Sequence, residues 1–179
     1  AGNWSDTKSA TIAVTAGVSR VQGQTSFRPT AGTDVLPGMS SATIFNNAQS
    51  NFSVRQQNGG ITSSNAFSLT YNTGNIFCTV FPGLNGCHTF SMNMTNASTF
   101  QLYGTNYSKA RVVGTANVTV DGVASVRPFV AEVVDGNRVN GNAQDSYELR
   151  IYAVGANPYS AAAEYHVAKT VSRSSFTIQ

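Results

Sequence analysis

The sequence predicts an all-β protein, a single antiparallel β-sandwich of Ig-like or jelly-roll-like type with about ten short strands, and three observations carry that expectation. Apolar side chains recur with period two along most of the chain, while the 3.6-residue period of a surface helix is nearly absent. Strong turn dipeptides, Asn58-Gly59, Pro82-Gly83, Asn85-Gly86 and Asp121-Gly122, punctuate the alternating runs. The 179 residues are 41% apolar, enough to build a core without a metal or several bridges. No linker, internal repeat or low-complexity tail divides them, so residues 1–179 read as one domain.

The elements follow in order. In SATIAVTAGVSRV, Ala10, Ile12, Val14, Ala16 and Val18 point one way and Thr11, Ala13, Thr15 and Gly17 the other. Residues 1–19 therefore serve either as the first strand of the domain's own sheet or as an N-terminal extension lent to a neighbouring copy. Strands are expected at 42–45, at 51–56 and at 66–71, where Phe67, Leu69 and Tyr71 share a face. The run 75–81 is the next. HTFSMNMT then places Phe90, Met92 and Met94 together, and TFQLYG follows. In ARVVGTANVTV the residues Val112, Ala116, Val118 and Val120 align. The turn at Asp121-Gly122 leads into ASVRPFVAEVV, whose Pro128 predicts an edge strand or a bulge. SYELRIYAV turns Tyr147, Leu149 and Ile151 inward and Glu148 and Arg150 outward, PYSAAAEYHVA suggests one helical turn, and SSFTIQ ends in a strand carrying Phe176 and Ile178.

Charge is scarce. Charged residues make up 11% of the chain, against about 25% in an average domain, and from Val35 to Ser108 the only fully charged side chain is Arg55. The net charge of +3 comes from 11 basic and 8 acidic residues that are interleaved, with no basic run and no aromatic–basic platform for a phosphate backbone, so nucleic acid is not an expected partner. No stretch approaches the roughly 20 apolar residues of a membrane span. The chain begins at Ala1 without a basic and apolar leader, which reads as a signal peptide already removed and an extracellular or cell-surface location.

Cys78 and Cys87 flank the two turn dipeptides of NIFCTVFPGLNGCHTF, so strands meeting through that turn bring the thiols opposite each other. A bridge closing this loop stabilises by roughly 2–3 kcal/mol and implies an oxidising compartment. Two free thiols are the plain alternative. A metal site is the third, but the spacing is not C-x-x-C and His88 alone does not complete a zinc set.

Residues 110–179 resemble an accessory β-domain found at the C-terminal side of large secreted, surface-anchored bacterial proteins. The matching stretches are ARVVGTANVTVDG, FVAEVVDG, DSYELRIYAVG and the closing SSFTIQ, in that order. The resemblance implies a fold and a compartment and no chemistry. Residues 9–18 resemble the donor strand of fimbrial subunits, an alternating extension that inserts into the groove of the next subunit; this implies strand exchange through Ala10, Ile12, Val14, Ala16 and Val18.

Four other features invite a functional reading. The stretch DGNRVNGNAQD offers oxygens at Asp135, Asn137, Asn140, Asn142 and Asp145, the ligand type calcium takes, although the same residues make up any long hairpin connection. Tyr103, Tyr107, Tyr152, Tyr159 and Trp4 are aromatic faces on which sugar rings stack, the alternative being core filling. Tyr107 sits among polar neighbours and Tyr152 lies opposite Leu149 and Ile151, so these two are expected to be exposed. Six Asn-x-Ser/Thr sequons occur, at Asn3, Asn51, Asn93, Asn96, Asn106 and Asn117, where composition alone gives roughly 4; Asn96 and Asn106 are expected near turns. His88 and His166 have no partner set that forms a hydrolase, zinc-protease or phosphate-loop motif, and no acidic pair stands out for glycoside hydrolysis, so no catalytic residue is assigned.

Together these observations lead to the expectation of a non-catalytic structural subunit of an extracellular filament, fimbria-like fibre or surface layer that assembles with other copies of itself by strand exchange. A secreted carbohydrate-binding or adhesive module is the alternative. No cofactor is expected, with calcium in the Asp/Asn loop as the one candidate.

Overall fold

The computed structural model describes residues 18–28, 47–62, 66–72, 89–172 and 175–179. They form ten antiparallel strands: β1 (Ser19–Phe27), β2 (Asn47–Gln57), β3 (Gly60–Ile61), β4 (Ala66–Asn72), β5 (Phe90–Tyr103), β6 (Lys109–Val120), β7 (Val123–Val134), β8 (Asp145–Ile151), β9 (Tyr165–Val171) and β10 (Phe176–Ile178). One short helix, α1 (Gly136–Asn140), lies between β7 and β8. All ten strands belong to one sheet in the order β10-β1-β2-β4-β5-β6-β7-β8-β9, with β3 paired to the end of β2. The all-β expectation holds at this level.

The sheet is strongly curled, and contacts between strands far apart in its order show this. Phe67 on β4 packs against Phe129 on β7 at 5.4 Å between ring centroids, although β5 and β6 lie between their strands. Tyr147 on β8 stacks on Phe176 of β10 at 6.1 Å and approaches Phe27 of β1 at 5.7 Å. It also shares a hydrogen bond with the Ser50 hydroxyl of β2. Inward-pointing rows from across the sheet feed this one core, among them Phe67, Leu69 and Tyr71; Phe90 and Met92; Val112, Ala116 and Val118; Tyr147, Leu149 and Ile151; and Phe176 and Ile178. These rows are the ones that period-two alternation predicts.

Turn chemistry is equally local. Asn58–Gly59 and Asp121–Gly122 both take φ of +50° to +81°, the positive pair that a two-residue hairpin of type I′ demands and that Asn-Gly and Asp-Gly tolerate. The Asp121 carboxylate also accepts the Thr89 backbone N–H at 2.8 Å, which fastens this turn to the start of β5.

Several local expectations are corrected. Strand β1 at Ser19–Phe27 is not among those the alternation suggested; its inward row, Val21, Gly23, Thr25 and Phe27, is half apolar. Gly23 is required there, because a Cβ would collide with the backbone of Ser175 and Phe176 on the adjoining strand. HTFSMNMT and TFQLYG are one 14-residue strand, irregular between Met94 and Asn96 and between Ala97 and Thr99. β7 as a whole lies between β6 and β8, but its pairing with β8 ends short of Pro128, so residues 123–128 are laddered to β6 alone and Pro128 does sit on a local edge. Its carbonyl accepts from Tyr152 N–H, so its nitrogen faces the same side, beyond the last ladder pair Phe129–Ile151, where the missing donor costs no ladder bond. PYSAAAEYHVA begins with one helical turn, in which Ser160 and Ala161 N–H reach Asn157 O at 3.1 and 2.9 Å, and its second half is the start of β9, which alternation had not suggested. The strands expected at 42–45 and 75–81, the first strand up to Gly17, and Cys78, His88 and Cys87 lie outside the described residues.

The two ends of the sheet meet at its last strand. β9 pairs with β8, and after a short break β10 pairs with β1, so the C-terminal segment passes from one edge to the other. Gln179 and Arg20 exchange both backbone hydrogen bonds at 2.7 Å, and Gln24 N–H reaches Ser175 O at 3.1 Å. The alternate donors of β10, Phe176 N–H and Ile178 N–H, point away from β1. The first reaches the carboxylate of Asp145 at 2.7 Å and the second that of Asp135 at 3.2 Å.

Candidate binding face

The outward rows of β1, β2, β4, β5 and β6 line up across strands. Cross-strand register places Gln24 beside Asn51, Asn51 beside Ser68, Ser68 beside Asn93 and Asn93 beside Asn117. One pleat further, Ser26, Gln49, Thr70, Ser91 and Thr119 form a second row. A third, shorter row runs Thr177, Gln22, Ser53, Ala66. Neighbouring strands lie about 4.8 Å apart, so the five-strand rows extend roughly 19 Å. Every member is exposed or half-exposed, none is ionisable and none is an apolar side chain larger than alanine. Toward β10 the face becomes concave: two adjoining hollows of about 440 and 380 Å³ share Gln24, Asn51 and Ser175 in their walls.

Period-two alternation also explains the abundance of sequons. Asn51 and Ser53, Asn93 and Thr95, and Asn117 and Thr119 each occupy two successive outward positions of a strand. Asn-x-Ser/Thr is what a polar-out strand of this composition spells.

Most of the charge lies on the other half of the sheet, while Arg20 on β1 and Arg55 on β2 stand opposite each other one pleat beyond the third row. On the outer face, Arg111, Glu132 and Glu148 stand side by side on β6, β7 and β8. Like charges directly opposite each other are unfavourable, and the two glutamates are offset by cations. Arg111 Nε lies 3.5 Å from Glu132, Arg150 pairs with Glu148, and His166 Nε2 is 2.8 Å from the same Glu148 oxygen. Tyr103 donates to Glu132 at 3.0 Å beneath the Lys109 ammonium, which lies 5.9 Å from its ring centre. Partial burial, followed by the hydrogen bond to Glu132, pushes the Tyr103 hydroxyl up to about 12. Arg127 joins Glu164 and holds the loop after β8. These groups pair with one another on an open sheet surface, which gives them the character of a solvated ion network.

The residues singled out in the sequence fall into distinct places. Asp135 and Asp145 are buried at 5% and 0% exposure and are engaged by main-chain donors. Asp135 caps α1 by accepting Asn137 N–H at 3.1 Å and Arg138 N–H at 3.3 Å, and its second oxygen takes Ile178. Asp145 accepts Gly136 N–H at 2.9 Å besides Phe176 N–H. Their role is to tie β10 and α1 to the sheet. Asn137, Asn140 and Asn142 are exposed on the loop surface, with Asn140 accepting Asn142 N–H at 3.0 Å. Among the described residues no group of three or more His, Cys, Asp or Glu side chains gathers as a metal site.

Tyr107 is 63% exposed, as expected, in a tight turn where it and Asn106 both have positive φ and Arg138 holds the Asn106 carbonyl at 2.9 Å. Tyr152 is corrected. It does lie on the outer side, but the loop of residues 153–163 folds over it, and with Val113 and Val130 it forms a small second core against Ala156, Ala161 and Ala163, leaving it 4% exposed. Asn96 and Asn106 are both exposed; Asn106 lies in a turn as expected, whereas Asn96 lies within β5 at its irregularity rather than near a turn. Val18 precedes β1 and is 45% exposed, while Ala10, Ile12, Val14 and Ala16 lie outside the described residues.

The neutral face was not singled out as a site in the sequence, yet its signal is present in the span from Val35 to Ser108, where Arg55 is the only fully charged side chain, and in the repeated Asn-x-Ser/Thr spacing. An array of amides and hydroxyls offers paired donors and acceptors to whatever lies against it. Comparison of the chain with protein-family models, with curated proteins and with solved structures found no match.

Proposed function

We propose that the protein is a non-catalytic extracellular β-sandwich module that works by contact, as a structural subunit of a fibre or surface layer assembled from copies of itself. The observation that carries this reading is the period-two alternation of Ala10, Ile12, Val14, Ala16 and Val18; the neutral face over β1, β2, β4, β5 and β6 is a second surface for contact. Assembly uses the alternating segment of residues 10–18, whose main chain adds a strand to a neighbour's sheet. The bridge between Cys78 and Cys87 belongs to the same picture of an oxidising exterior.

A second reading, a secreted carbohydrate-binding or adhesive module, is favoured by the same face, because amide side chains both donate to and accept from sugar hydroxyls. Tyr107 adds an exposed ring at one end of the sheet.

Deletion of residues 1–17 tests the first reading. In size-exclusion chromatography and negative-stain microscopy the full chain forms filaments or higher oligomers, and the truncated chain remains a folded monomer. Equal assembly by both chains removes strand exchange, and a full chain that elutes as a sharp monomer transfers the case to the second reading.

A further inference from the structure

We infer that the neutral face is a binding site for an uncharged polysaccharide chain lying across the strands, along the row from Gln24 through Asn51, Ser68 and Asn93 to Asn117. The inference rests on the second reading above and names its ligand class and its track. Four features of the face select that ligand. Its side chains are amides and hydroxyls, which match groups that donate and accept at once, and a sugar hydroxyl is such a group while a phosphate or carboxylate is not. The rows themselves hold no charged side chain across five strands, so nothing within them selects for an anionic polymer; Arg20 and Arg55 lie on the same side one pleat beyond the third row. Its polar groups repeat at the strand spacing of about 4.8 Å over roughly 19 Å, which suits a ligand that presents similar groups again and again. It is concave at the β10 end, where the hollows beside Gln24 and Asn51 seat the start of the chain.

A second copy of the protein fits the face less well. Stable protein interfaces bury an apolar centre inside a polar rim, and the rows hold no apolar side chain beyond Ala66. Water competes on equal terms for such a surface unless the partner satisfies many hydrogen bonds at once, as a hydroxyl-rich polymer does.

Affinity electrophoresis of the full chain, made in a host that does not N-glycosylate, tests the site. The gels contain soluble neutral polysaccharides, namely a β-glucan, a mannan and hydroxyethyl-cellulose, with alginate as the anionic control. Any retardation of this +3 chain in alginate is general charge attraction and is the same for the alanine variants. The expected result is retardation in at least one neutral gel. The pair Asn51→Ala and Asn117→Ala weakens it about tenfold, as loss of two amide contacts implies, and the pair Asn51→Asp and Asn117→Asp weakens it at least as much. Arg150→Ala, in the charged half, leaves it unchanged, and circular dichroism confirms that each variant is folded. Free migration in every neutral gel overturns the inference, as does retardation that survives both pairs. Size exclusion of the same samples separates the readings. Row substitutions that abolish self-assembly in a protein that binds no glycan make the face a subunit contact, which overturns this inference and leaves the structural-subunit reading standing.

Discussion

Removing the Asp145 carboxylate is the sharpest test of how the sheet is closed. Asp145 is fully buried, and its two oxygens accept Gly136 N–H at 2.9 Å and Phe176 N–H at 2.7 Å. In Asp145→Ala both donors stay buried and lose their acceptor. Hydrogen bonds to a charged group are worth about 1.5–3 kcal/mol each, so the pair gives about 3–6 kcal/mol, a large share of the roughly 5–15 kcal/mol that holds an ordinary domain. Asp145→Asn keeps one acceptor but turns an NH2 group toward the other donor, and is expected to cost about 1.5–3 kcal/mol by the same reckoning. Urea unfolding followed by circular dichroism measures both, with an unchanged slope and a lower midpoint. Amide exchange locates the effect: Phe176 N–H, and after it Ile178 N–H, exchange faster than the β1 amides in the variant. An alanine variant within about 0.5 kcal/mol of the parent, the range of an ordinary surface change, or a Phe176 amide as protected as before, refutes the assignment of Asp145 as the tie that holds β10.

Three further outcomes are expected. Phe67→Ala removes a ring that touches Phe52, Phe129 and Tyr147, and the cavity costs about 3–5 kcal/mol in the same unfolding assay; a loss under about 1 kcal/mol contradicts the aromatic core. The Tyr103 hydroxyl is raised from 10.0 to about 12 in the folded protein, and burial raises Tyr147 as well. Folding therefore favours their protonated forms, so their contribution is intact below pH 10 and declines as pH rises from 10 toward 12; Tyr147→Phe flattens the alkaline fall of stability, and a fall as steep as that of the parent rejects the cause. Chelator treatment of the wild-type chain leaves its melting temperature unchanged, because Asp135 and Asp145 are held by backbone donors, and a drop of several degrees restores calcium to that loop.

Much of this was legible in the residues, and the remainder depends on partners that no local pattern reveals. Alternation placed Phe67, Leu69, Tyr71, Tyr147, Leu149 and Ile151 on the inner side because strand geometry alone decides that. Asp121-Gly122 announced its hairpin for the same local reason. Strand β1 was hidden because Gly23 and Thr25 take inward positions that usually carry large apolar residues, and Gly23 is explained only by the Phe176 backbone beside it. The exposure expected of Tyr152 failed because a loop lies over it, a contact that alternation does not report. Asp135 and Asp145 share their composition with a calcium loop and were separated from one only by the distant donors of β10. Of the candidate binding face, the charge gap was visible in the sequence, whereas the rows needed the register of five strands.

The handover of the final segment from β8 to β1 also sets the order in which the protein can be made. β1 forms at one end of the described chain and its outer partner β10 at the other, so the pairing of Gly23 with Phe176 spans nearly all of it. Until then β1 has an unfilled flank, the kind of edge on which nascent chains stick to one another. Long-range closure of this sort is slow. Dilution, or a chaperone that shelters β1 until the last strand arrives, is therefore expected to raise the yield of folded protein.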